Sequence, residues 1–395
     1  MKAYMINSNK KIRPFGDHPL ECLIANKKLS DHQKRVSAEL GLDLQLIDDS
    51  DQIPDSDECI ILGDSLYFTK ELLQDFIEKS RNLTTRTRFA LKPGLISIKS
   101  IVATQDVAPY SDRIEYNLEY VPANGLSDKP TPLMIDVDYL SEGVVMPEHM
   151  IGVPKNIVPI TNKILIQIDH WSNLWAANIG ALLSNAAKIA MAPKSKLLLL
   201  ALKARSINKW KVLHQTNTVG KHCDIHSTAY IEGSTIGDGV TIGAGAVIRQ
   251  SVIGDRANIL NNATVDTSVV GDNSFIGNAS MVQYSVLYPG TFILARVISL
   301  STTGRNTFLG DNVTLTDFRI DGQNITVMKN GILVDTGNPL LGPCLGHGVY
   351  LAAGSIVGPG REVPNDQRLA PLEARIIRKH GPTGEVDGYR TIHRQ

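Results

Sequence analysis

The clearest pattern along the chain is a fixed spacing of aliphatic positions in its second half. Four serines stand 17 residues apart, and each is followed two positions later by an aliphatic residue. The serines are Ser234, Ser251, Ser268 and Ser285, and the aliphatic residues are Ile236, Ile253, Val270 and Leu287. Two further columns keep the same step, at Ile242, Ile259, Ile276 and Ile293 and at Ile248, Val265 and Val282. Short fixed-period repeats indicate stacked units, and three aliphatic columns predict a triangular prism with one buried residue per face.

Glycines directly follow many of these aliphatic residues, at positions where a sharp corner favours a residue without a Cβ atom. They are Gly237, Gly243, Gly254, Gly271 and Gly277. We therefore predict a β-solenoid. An ordinary parallel sheet of buried strands is the alternative, but it does not require a fixed spacing in three columns.

The first 165 residues have a different pattern, in which short apolar runs alternate with helix-like segments. The runs CIILG, GLISI, PLMIDV and KILIQI are predicted strands, and SDHQKRVSAELG and TKELLQDFIEKSRN are predicted helices. Ser30 and Thr69 open the two helical segments, and a hydroxyl at that position can accept an unpaired backbone N–H. Alternating strand and helix signals predict an α/β layer.

Residues 169–215 give mostly helical signals, interrupted near Pro193, and are predicted to connect the α/β layer to the solenoid. The segment KSKLLLLALKARSINKWK is apolar with basic flanks, a composition that can lie on a membrane surface. Packing against the solenoid or a neighbouring subunit is the favoured interpretation, because the apolar run is short and the net charge is zero. Peripheral membrane contact is therefore not expected.

Composition limits the class of protein. A chain of 395 residues is expected to hold two or three domains. Its 40 Lys and Arg residues balance 40 Asp and Glu residues, so no positive field points to nucleic acid. Four cysteines without paired spacing suit reduced thiols, and neither a signal peptide nor an apolar run of about 18 residues is recognisable. We expect a cytoplasmic protein.

Two segments resemble a known family. DHWSNLWAAN, at residues 169–178, and FRIDGQNITVMKNGILVDTGNPLLGPCLGHGVYLAAGSIVGPG, at residues 318–360, are similar to the arm and the late solenoid of one class of sugar-1-phosphate nucleotidyltransferases. In that class the transferase is fused to a left-handed β-helix, as in the bifunctional enzymes that make UDP-N-acetylglucosamine. The resemblance implies a nucleotidyltransferase-like (Rossmann-like) α/β domain at 1–168, a helical arm at 169–215, a left-handed parallel β-helix of hexapeptide repeats at 216–365 and a tail at 366–395. It also implies a homotrimer.

The family binds the nucleotide triphosphate with a glycine-rich loop after the first strand. The corresponding segment here is MINSNKKIRPFGDHP, at residues 5–19. Asn7 and Asn9 stand where the family has glycines, and a leucine follows the last proline where the family has a lysine. The resemblance assigns Lys11 and Arg13 to catalysis, and Asn7, Asn9 and Lys10 to nucleotide binding.

The family's reaction also uses Mg²⁺, which neutralises charge that develops on the pyrophosphate. Asp64 follows the apolar run CIILG, where the family places a metal-binding Gly-Asp. Asp136 and Asp138 in LMIDVDYL offer the second carboxylate, and Asp138 is the predicted ligand. A turn residue is the alternative reading of Asp64, because aspartate is common in turns.

The solenoid of the family acetylates amino sugars with a histidine as the general base. When Gly310 is aligned with the family's glycine, Leu300 takes the place of that base and Thr303 the place of a tyrosine. Leucine cannot accept a proton, so acetyl-CoA-dependent chemistry is disfavoured there. His347, in PCLGHGVYLAAG, is the remaining acyltransfer candidate, and a solvent-exposed or capping role is its alternative.

Three functions follow from these residues. The first is a divergent nucleotidyltransferase that converts an NTP and a sugar 1-phosphate to an NDP-sugar and pyrophosphate. The second is a non-catalytic trimeric protein that binds a nucleotide or sugar-phosphate ligand or acts as a scaffold. The third is a hexapeptide-repeat acyltransferase. Fold kinship alone does not decide among them.

Overall fold

A computed structural model of the protein describes residues 1–93, 102–145 and 155–371. The predicted strand GLISI, at residues 94–98, lies outside the described residues, as do residues 372–395 of the predicted tail. Within the described part, no helix combines the length and the apolar character that crossing a bilayer requires.

The α/β domain is built on a mixed sheet. Its strands are β1 Lys2–Ile6, β2 Leu23–Ile24, β3 Lys27–Lys28, β4 Asp43–Ile47, β5 Cys59–Gly63, β6 Leu66–Phe68, β7 Thr87–Leu91, β8 Ala108–Pro109, β9 Ile114–Val121, β10 Thr131–Met134, β11 Leu140–Val145, β12 Lys155–Ile160 and β13 Leu165–Gln167. The main sheet has the order β10–β7–β9–β5–β1–β4, with β8 paired to β9. Strand β1 is parallel to β4 and β5, whereas β9 is antiparallel to β5 and β7. The predicted strands CIILG, PLMIDV and KILIQI correspond to β5, β10 and β13.

Two helices, α1 Leu29–Glu39 and α2 Lys70–Arg81, cover one side of this sheet and contribute to its apolar core. Short 3₁₀ turns occupy Pro19–Glu21 and Ser50–Gln52. The predicted cap at Ser30 is wrong, because α1 starts at Leu29 and places Ser30 inside its first turn. Thr69 does precede α2, but its hydroxyl accepts the N–H of Ile164 on the neighbouring segment instead of a helix N–H.

Three helices connect the α/β domain to the solenoid: α3 Trp171–Ala190, α4 Lys194–Ala204 and α5 Lys209–His214. Helix α3 buries more than half of its residues between the two domains. Helix α4 buries none, so the expected packing of its leucines against the solenoid is not observed.

The second half forms the predicted left-handed parallel β-helix, with three faces of short parallel strands. The first face contains Thr218–Val219, Thr235–Ile236, Val252–Ile253, Val269–Val270, Val286–Leu287, Thr302–Thr303, Cys344–Leu345 and Glu362–Val363. The second contains Asp224–Ile225, Thr241–Ile242, Asn258–Ile259, Phe275–Ile276, Phe292–Ile293, Phe308–Leu309, Tyr350–Leu351 and Arg368–Leu369. The third contains Tyr230–Glu232, Val247–Arg249, Thr264–Asp266, Met281–Gln283 and Val297–Ser299, and the pair Thr314–Leu315 and Ile356–Val357 extends the stack. All three predicted aliphatic columns form its buried core.

The serine column that revealed the repeat is a buried hydrogen-bond ladder. The Ser268 N–H donates to Ser251 Oγ at 3.1 Å, and the Ser285 N–H donates to Ser268 Oγ at 3.0 Å. Each hydroxyl in turn donates to the carbonyl two residues earlier, as Ser268 does to Asp266 at 2.8 Å. The column therefore satisfies polar groups inside the prism, where an unpaired one would be costly.

Two features of the late solenoid depart from a uniform stack. A β-hairpin, Thr326–Lys329 paired with Ile332–Asp335, projects between its last coils. The strand Arg368–Leu369 pairs with Tyr350–Leu351, so the solenoid continues past its predicted end at residue 365.

The α/β domain, helix α3 and the first face of the solenoid share one apolar cluster. Phe15 from the first loop, Trp171 from α3 and Tyr288 from the solenoid all belong to it and are nearly fully buried. The Trp171 Nε1–H donates to Glu362 Oε1 at 3.0 Å, and the Trp175 Nε1–H donates to the Tyr284 carbonyl at 2.7 Å. The residues of DHWSNLWAAN thus hold the two domains together.

Candidate functional site

A cavity of about 260 Å³ lies at the carboxyl ends of β1 and β5, on the side of the sheet opposite α1 and α2. Ligands of open α/β sheets commonly bind at the carboxyl ends of parallel strands. The cavity is lined by Ile6, Ser8, Lys10, Ile61, Leu62, Gly63, Asp64, Ser65, Asn117, Glu119 and Gln167. It therefore brings together Lys10 and Asp64, two of the predicted site residues.

Asp64 lies at the floor of this cavity and is fully buried. Its Oδ2 accepts the Ser8 N–H at 2.8 Å and the Ser8 hydroxyl at 3.0 Å. His18 Nε2 lies 3.3 Å from the same oxygen. His18 Nδ1 accepts the Leu20 N–H, and Nε2 donates its hydrogen bond to Asn7 Oδ1 at 3.1 Å. Asp64 thus holds the start of the first loop against the end of β5. Its other oxygen, Oδ1, is buried and has no hydrogen-bond partner among the described residues.

Lys10 is held by two carboxylates, one from the α/β domain and one from the start of the arm. Its Nζ lies 2.7 Å from Asp106 Oδ2 and 2.7 Å from Asp169 Oδ1. Burial alone would lower the pKa of Lys10, but the hydrogen bonds that its ammonium donates to Asp106 and Asp169 raise the pKa above the ordinary value. Lys329, from the solenoid hairpin, pairs with Asp106 Oδ1 at 2.6 Å. Lys10 therefore stays charged, and its charge is compensated within the protein.

The opposite wall of the cavity is polar and comes from β9. Glu119 is nearly buried, and its two oxygens lie 2.7 Å from Arg86 and 2.6 Å from Arg88. Next to it, the Asn117 amide donates to Gln167 Oε1 at 3.2 Å. This wall offers amide and carboxylate groups of the kind that hydrogen-bond hydroxyls.

The other predicted loop residues serve the loop itself or face elsewhere. Asn9 has a left-handed backbone (φ 52°), as expected for an asparagine in place of a glycine, and its N–H donates to Asn7 Oδ1 at 3.2 Å. Lys11 is exposed. Arg13 is also exposed and lines a separate groove with Arg361 and Glu362 of the solenoid. The structure therefore does not place Arg13 with Asp64.

The predicted pair of metal ligands is not assembled either. Asp138 is exposed and does not line the cavity, and its carbonyl accepts the Thr161 hydroxyl at 2.8 Å. Asp136 lies 3.9 Å from Lys92 on the surface. Within the described residues, no group of three or more His, Cys, Asp or Glu side chains is arranged to hold a metal. Asp64 Oδ1 remains as one buried carboxylate oxygen free to act as a ligand.

His347 belongs to a ladder along one corner of the solenoid. Its N–H donates to Asn365 Oδ1 at 2.8 Å, and its Nδ1 accepts the Arg305 N–H at 2.8 Å. On earlier coils the same arrangement joins the Asp238 N–H to Asp255 Oδ1 at 2.8 Å. Nε2 lies 2.9 Å from Arg305 Nη1 and 3.4 Å from Asp17 Oδ1. Both ring nitrogens therefore already have partners within the protein, and neither is free to act as a general base. The capping alternative describes His347 in this structure.

The position aligned with the family's general base is occupied by Leu300, which has no titratable group. Leu300 has a left-handed backbone (φ 48°) and lies at a corner of the prism. Thr303 is fully buried, and its hydroxyl lies 3.1 Å from that of Thr291.

A junction that the sequence did not predict connects His347 to the first loop. Asp17 Oδ2 lies 2.7 Å from Arg305 Nη1, and Asp17 Oδ1 lies 3.4 Å from His347 Nε2. The rings of Phe15, His347 and Tyr288 form a cluster, in which the Phe15 centroid lies 5.1 Å from that of His347 and 5.5 Å from that of Tyr288. The loop that binds nucleotide in the resembled family is therefore anchored to the solenoid.

Several residues of the site carry too little sequence signal to be predicted. Ser8 and His18 lie in the quoted loop segment but carry no motif of their own. Asp169 directly follows the buried run KILIQI, but that run forms β13, which pairs with β6 outside the main sheet, so the sequence did not indicate its contact with the first loop. Asn117 and Glu119 alternate along a strand whose location relative to the loop depends on sheet order.

Part of the chain that forms the solenoid is similar to a known protein family. Residues 212–336 match the family model described as the GMPPB C-terminal domain. The predicted family resemblance is confirmed. The chain resembles nucleotidyltransferases that carry a C-terminal β-helix. No curated protein matches the chain.

Two solved structures are also similar to parts of the chain. The acetyltransferase domain of PglB from Neisseria gonorrhoeae FA1090 is 17% identical, with a TM-score of 0.20, over 38% of this chain and 55% of that one. A hexapeptide transferase family protein from Anaplasma phagocytophilum is 21% identical, with a TM-score of 0.17, over 43% of this chain and 88% of that one. The chain thus spans little more than half of the first of these structures.

Proposed function

We propose that this protein is a nucleotidyltransferase-like binding protein that holds a sugar phosphate or nucleotide sugar without transferring the nucleotidyl group. The proposal rests on one observation. The groups of the first loop that would bind phosphate are already paired with other groups of the protein. The Ser8 N–H is hydrogen-bonded to Asp64, and the Lys10 ammonium is paired with Asp106 and Asp169. A triphosphate would have to displace three carboxylates, each of which repels it.

The cavity supports binding of a sugar-sized group. Its volume of about 260 Å³ falls below the roughly 300–1,000 Å³ of pockets for drug-sized ligands, so it suits one part of a nucleotide sugar. Asn117, Gln167 and Glu119 supply polar groups, and Ile6 and Ile61 supply an apolar wall. Hydroxyl groups on a ring with apolar faces match this combination.

An active nucleotidyltransferase is the second candidate, and the unpartnered Asp64 Oδ1 favours it. Mg²⁺ is commonly held by one or two carboxylates together with substrate phosphates, so Asp64 alone is a sufficient protein ligand. When bound, the ion would neutralise charge on the pyrophosphate. In this function the ligand would be an NTP, and the chain would contribute Asp64 and Lys10 to its binding.

Isothermal titration calorimetry with and without Mg²⁺ separates the two functions. We expect nucleoside diphosphate sugars or sugar 1-phosphates to bind without metal, and pyrophosphate release from NTP and sugar 1-phosphate to stay at background. Asn117→Ala should weaken binding by about tenfold, since loss of hydrogen bonds in a small polar site costs roughly 1 kcal/mol or more. Asn82→Ala, at the exposed end of α2, is the matched control.

Metal-dependent NTP binding would contradict this proposal. If that binding also fell by at least about tenfold in Asp64→Asn, the enzyme would replace the binding protein, because the lost charge is that of a metal ligand. Absence of binding by any sugar phosphate, nucleotide sugar or NTP would exclude both functions at this cavity.

A further inference from the structure

The segment formed by α4, the following turn and α5 is strongly basic in an otherwise neutral chain. Between residues 194 and 211 it carries Lys194, Lys196, Lys203, Arg205, Lys209 and Lys211 and no acidic residue. The whole stretch between Asp169 and Asp224 lacks Asp and Glu. No ion pair within the described residues involves any of these six cations. The segment therefore presents uncompensated positive charge.

Helix α4 has two different apolar faces. Leu197, Leu200 and Ala201 are half-buried on one side of the helix, and α4 is in contact with α5. Leu198, Leu199 and Leu202 are 61%, 66% and 64% exposed. At 3.6 residues per turn these three leucines fall within an arc of about 100°, which is the width of an apolar stripe on an amphipathic helix.

Lysines flank the exposed leucine stripe. On the same helical projection Lys194 lies just beyond one edge, and Lys203 and Lys196 lie beyond the other. Long lysine side chains can keep their ammonium groups in a polar layer while the adjacent apolar residues enter a nonpolar one. This order of groups around the helix matches the order of layers at a bilayer surface.

The turn after α4 extends the same surface. Ile207 is 97% exposed, and Trp210, at the start of α5, is 45% exposed. Tryptophan is favoured at the level of lipid headgroups, where one part of its ring system is apolar and its N–H is polar. Helix α5 is attached to the first coils of the solenoid, where His214 Nδ1 lies 2.7 Å from the Ile231 carbonyl. The exposed surface is therefore attached to the first coils of the solenoid.

We propose that α4, the turn and α5 form a membrane-surface-binding element for bilayers that contain anionic phospholipid. The leucines, Ile207 and Trp210 enter the boundary between headgroups and acyl chains, and the six cations contact lipid phosphates. Charge decides between this occupant and a second copy of the chain. Two copies would bring like charges together, and lysine is depleted in the cores of protein–protein interfaces. This inference does not depend on the proposed function of the cavity.

Flotation of the full-length protein with vesicles tests the proposal. We expect binding to vesicles of phosphatidylcholine mixed with phosphatidylglycerol, little binding to phosphatidylcholine alone, and release at high salt, because the cations contribute through screened electrostatic attraction. The fluorescence emission of Trp210 should shift to shorter wavelength on binding. Of the three tryptophans it is the exposed one, since Trp171 is buried and Trp175 is partly buried.

Two sets of variants locate the binding surface. Combined Leu198→Ser, Leu199→Ser and Leu202→Ser should reduce the bound fraction by at least about tenfold, because each loses exposed apolar area that the bilayer would cover. The double variant Ile332→Ser and Leu333→Ser, at the exposed solenoid hairpin, is the matched control and should bind like the parent protein. All substituted side chains are exposed, so circular dichroism should show unchanged folds.

Three results would overturn the proposal. The first is absence of flotation with anionic vesicles at low salt. The second is equal binding by the triple variant and the parent protein. The third is a change in molar mass by light scattering in the triple variant together with absent vesicle binding, which would make this face an interface between copies.

Discussion

Replacing Asp17 by asparagine tests the junction between the first loop and the solenoid. Asp17→Asn keeps the size of the side chain but removes the charge that pairs with Arg305 at 2.7 Å and faces His347 at 3.4 Å. Residues on the two sides of this contact are 288 and 330 positions apart in the chain. The substitution therefore weakens a contact that only the assembled molecule makes.

The magnitude follows from how far the pair is removed from water. The Asp17 and Arg305 side chains are 18% and 33% exposed, so the pair lies between a surface ion pair and a fully buried one. Exposed pairs contribute about 0–1 kcal/mol, and hydrogen bonds to charged groups contribute about 1.5–3 kcal/mol. We expect Asp17→Asn to lower the free energy of unfolding by about 1–3 kcal/mol.

Urea denaturation, followed by the fluorescence of the buried tryptophans at the domain junction, is the measurement. A double-mutant cycle with Arg305→Gln should give a coupling between the two residues, because they share one contact. Glu21→Gln removes the partner of Lys28 from an exposed pair near the same loop and should leave the midpoint unchanged. If Asp17→Asn changes stability no more than this control, or if the cycle shows no coupling, the junction is not a stabilising contact.

The pH dependence gives an independent check. Burial alone would raise the pKa of Asp17, but hydrogen bonds from His347 and Arg305 hold it below the ordinary value of 3.8. A carboxylate with a lowered folded-state pKa contributes stability that is present above its unfolded-state pKa and is lost as pH falls through the folded-state value. The difference between the parent protein and Asp17→Asn should therefore be full near neutral pH and shrink below about pH 4.

Two further predictions concern the thiols and the free face of the solenoid. Burial raises the pKa of Cys22 to about 12 and that of Cys59 to about 11, so Ellman's reagent should label one of the four thiols of the native protein, and Cys223→Ser should remove that reaction. Rapid labelling of more thiols would contradict the buried positions. Phe292 is 37% exposed in a stack of rings on the second face, 4.3 Å from the ring before it, and we expect this face to join the predicted trimer. Light scattering should show Phe292→Glu as a smaller species. Met281→Glu, equally exposed on the third face, is the control that stays assembled, and a parent protein that is itself a monomer would refute the trimer.

The solenoid could be predicted in detail because its repeat is local. Each coil repeats the same contacts with the coil one period away, so a periodic column such as Ile242, Ile259 and Ile276 is visible directly in the sequence. The α/β layer was also predictable from its apolar runs. Its strand order was not, since β9 returns antiparallel between β5 and β7, and no local signal specifies that pairing.

The candidate site was only partly predictable for the same reason. Asp64 could be named because it follows an apolar run, and Lys10 because its segment resembles the nucleotide-binding loop of a known family. The contacts of Asp64 with Ser8, and of Lys10 with Asp106 and Asp169, depend on how the chain packs in three dimensions. The role of His347 could not be predicted either, because it depends on which backbone N–H donates to its Nδ1.

Anchoring of the first loop at both ends is the physical reason to favour binding over nucleotidyl transfer. One end is closed by the hydrogen bonds between Ser8 and Asp64, and the other is attached to the solenoid through Asp17 and Phe15. Transfer would require the loop to present unpaired N–H groups to a phosphate whose charge grows in the transition state. Here those groups are already paired, so stabilising that charge would first cost the hydrogen bonds that hold the loop.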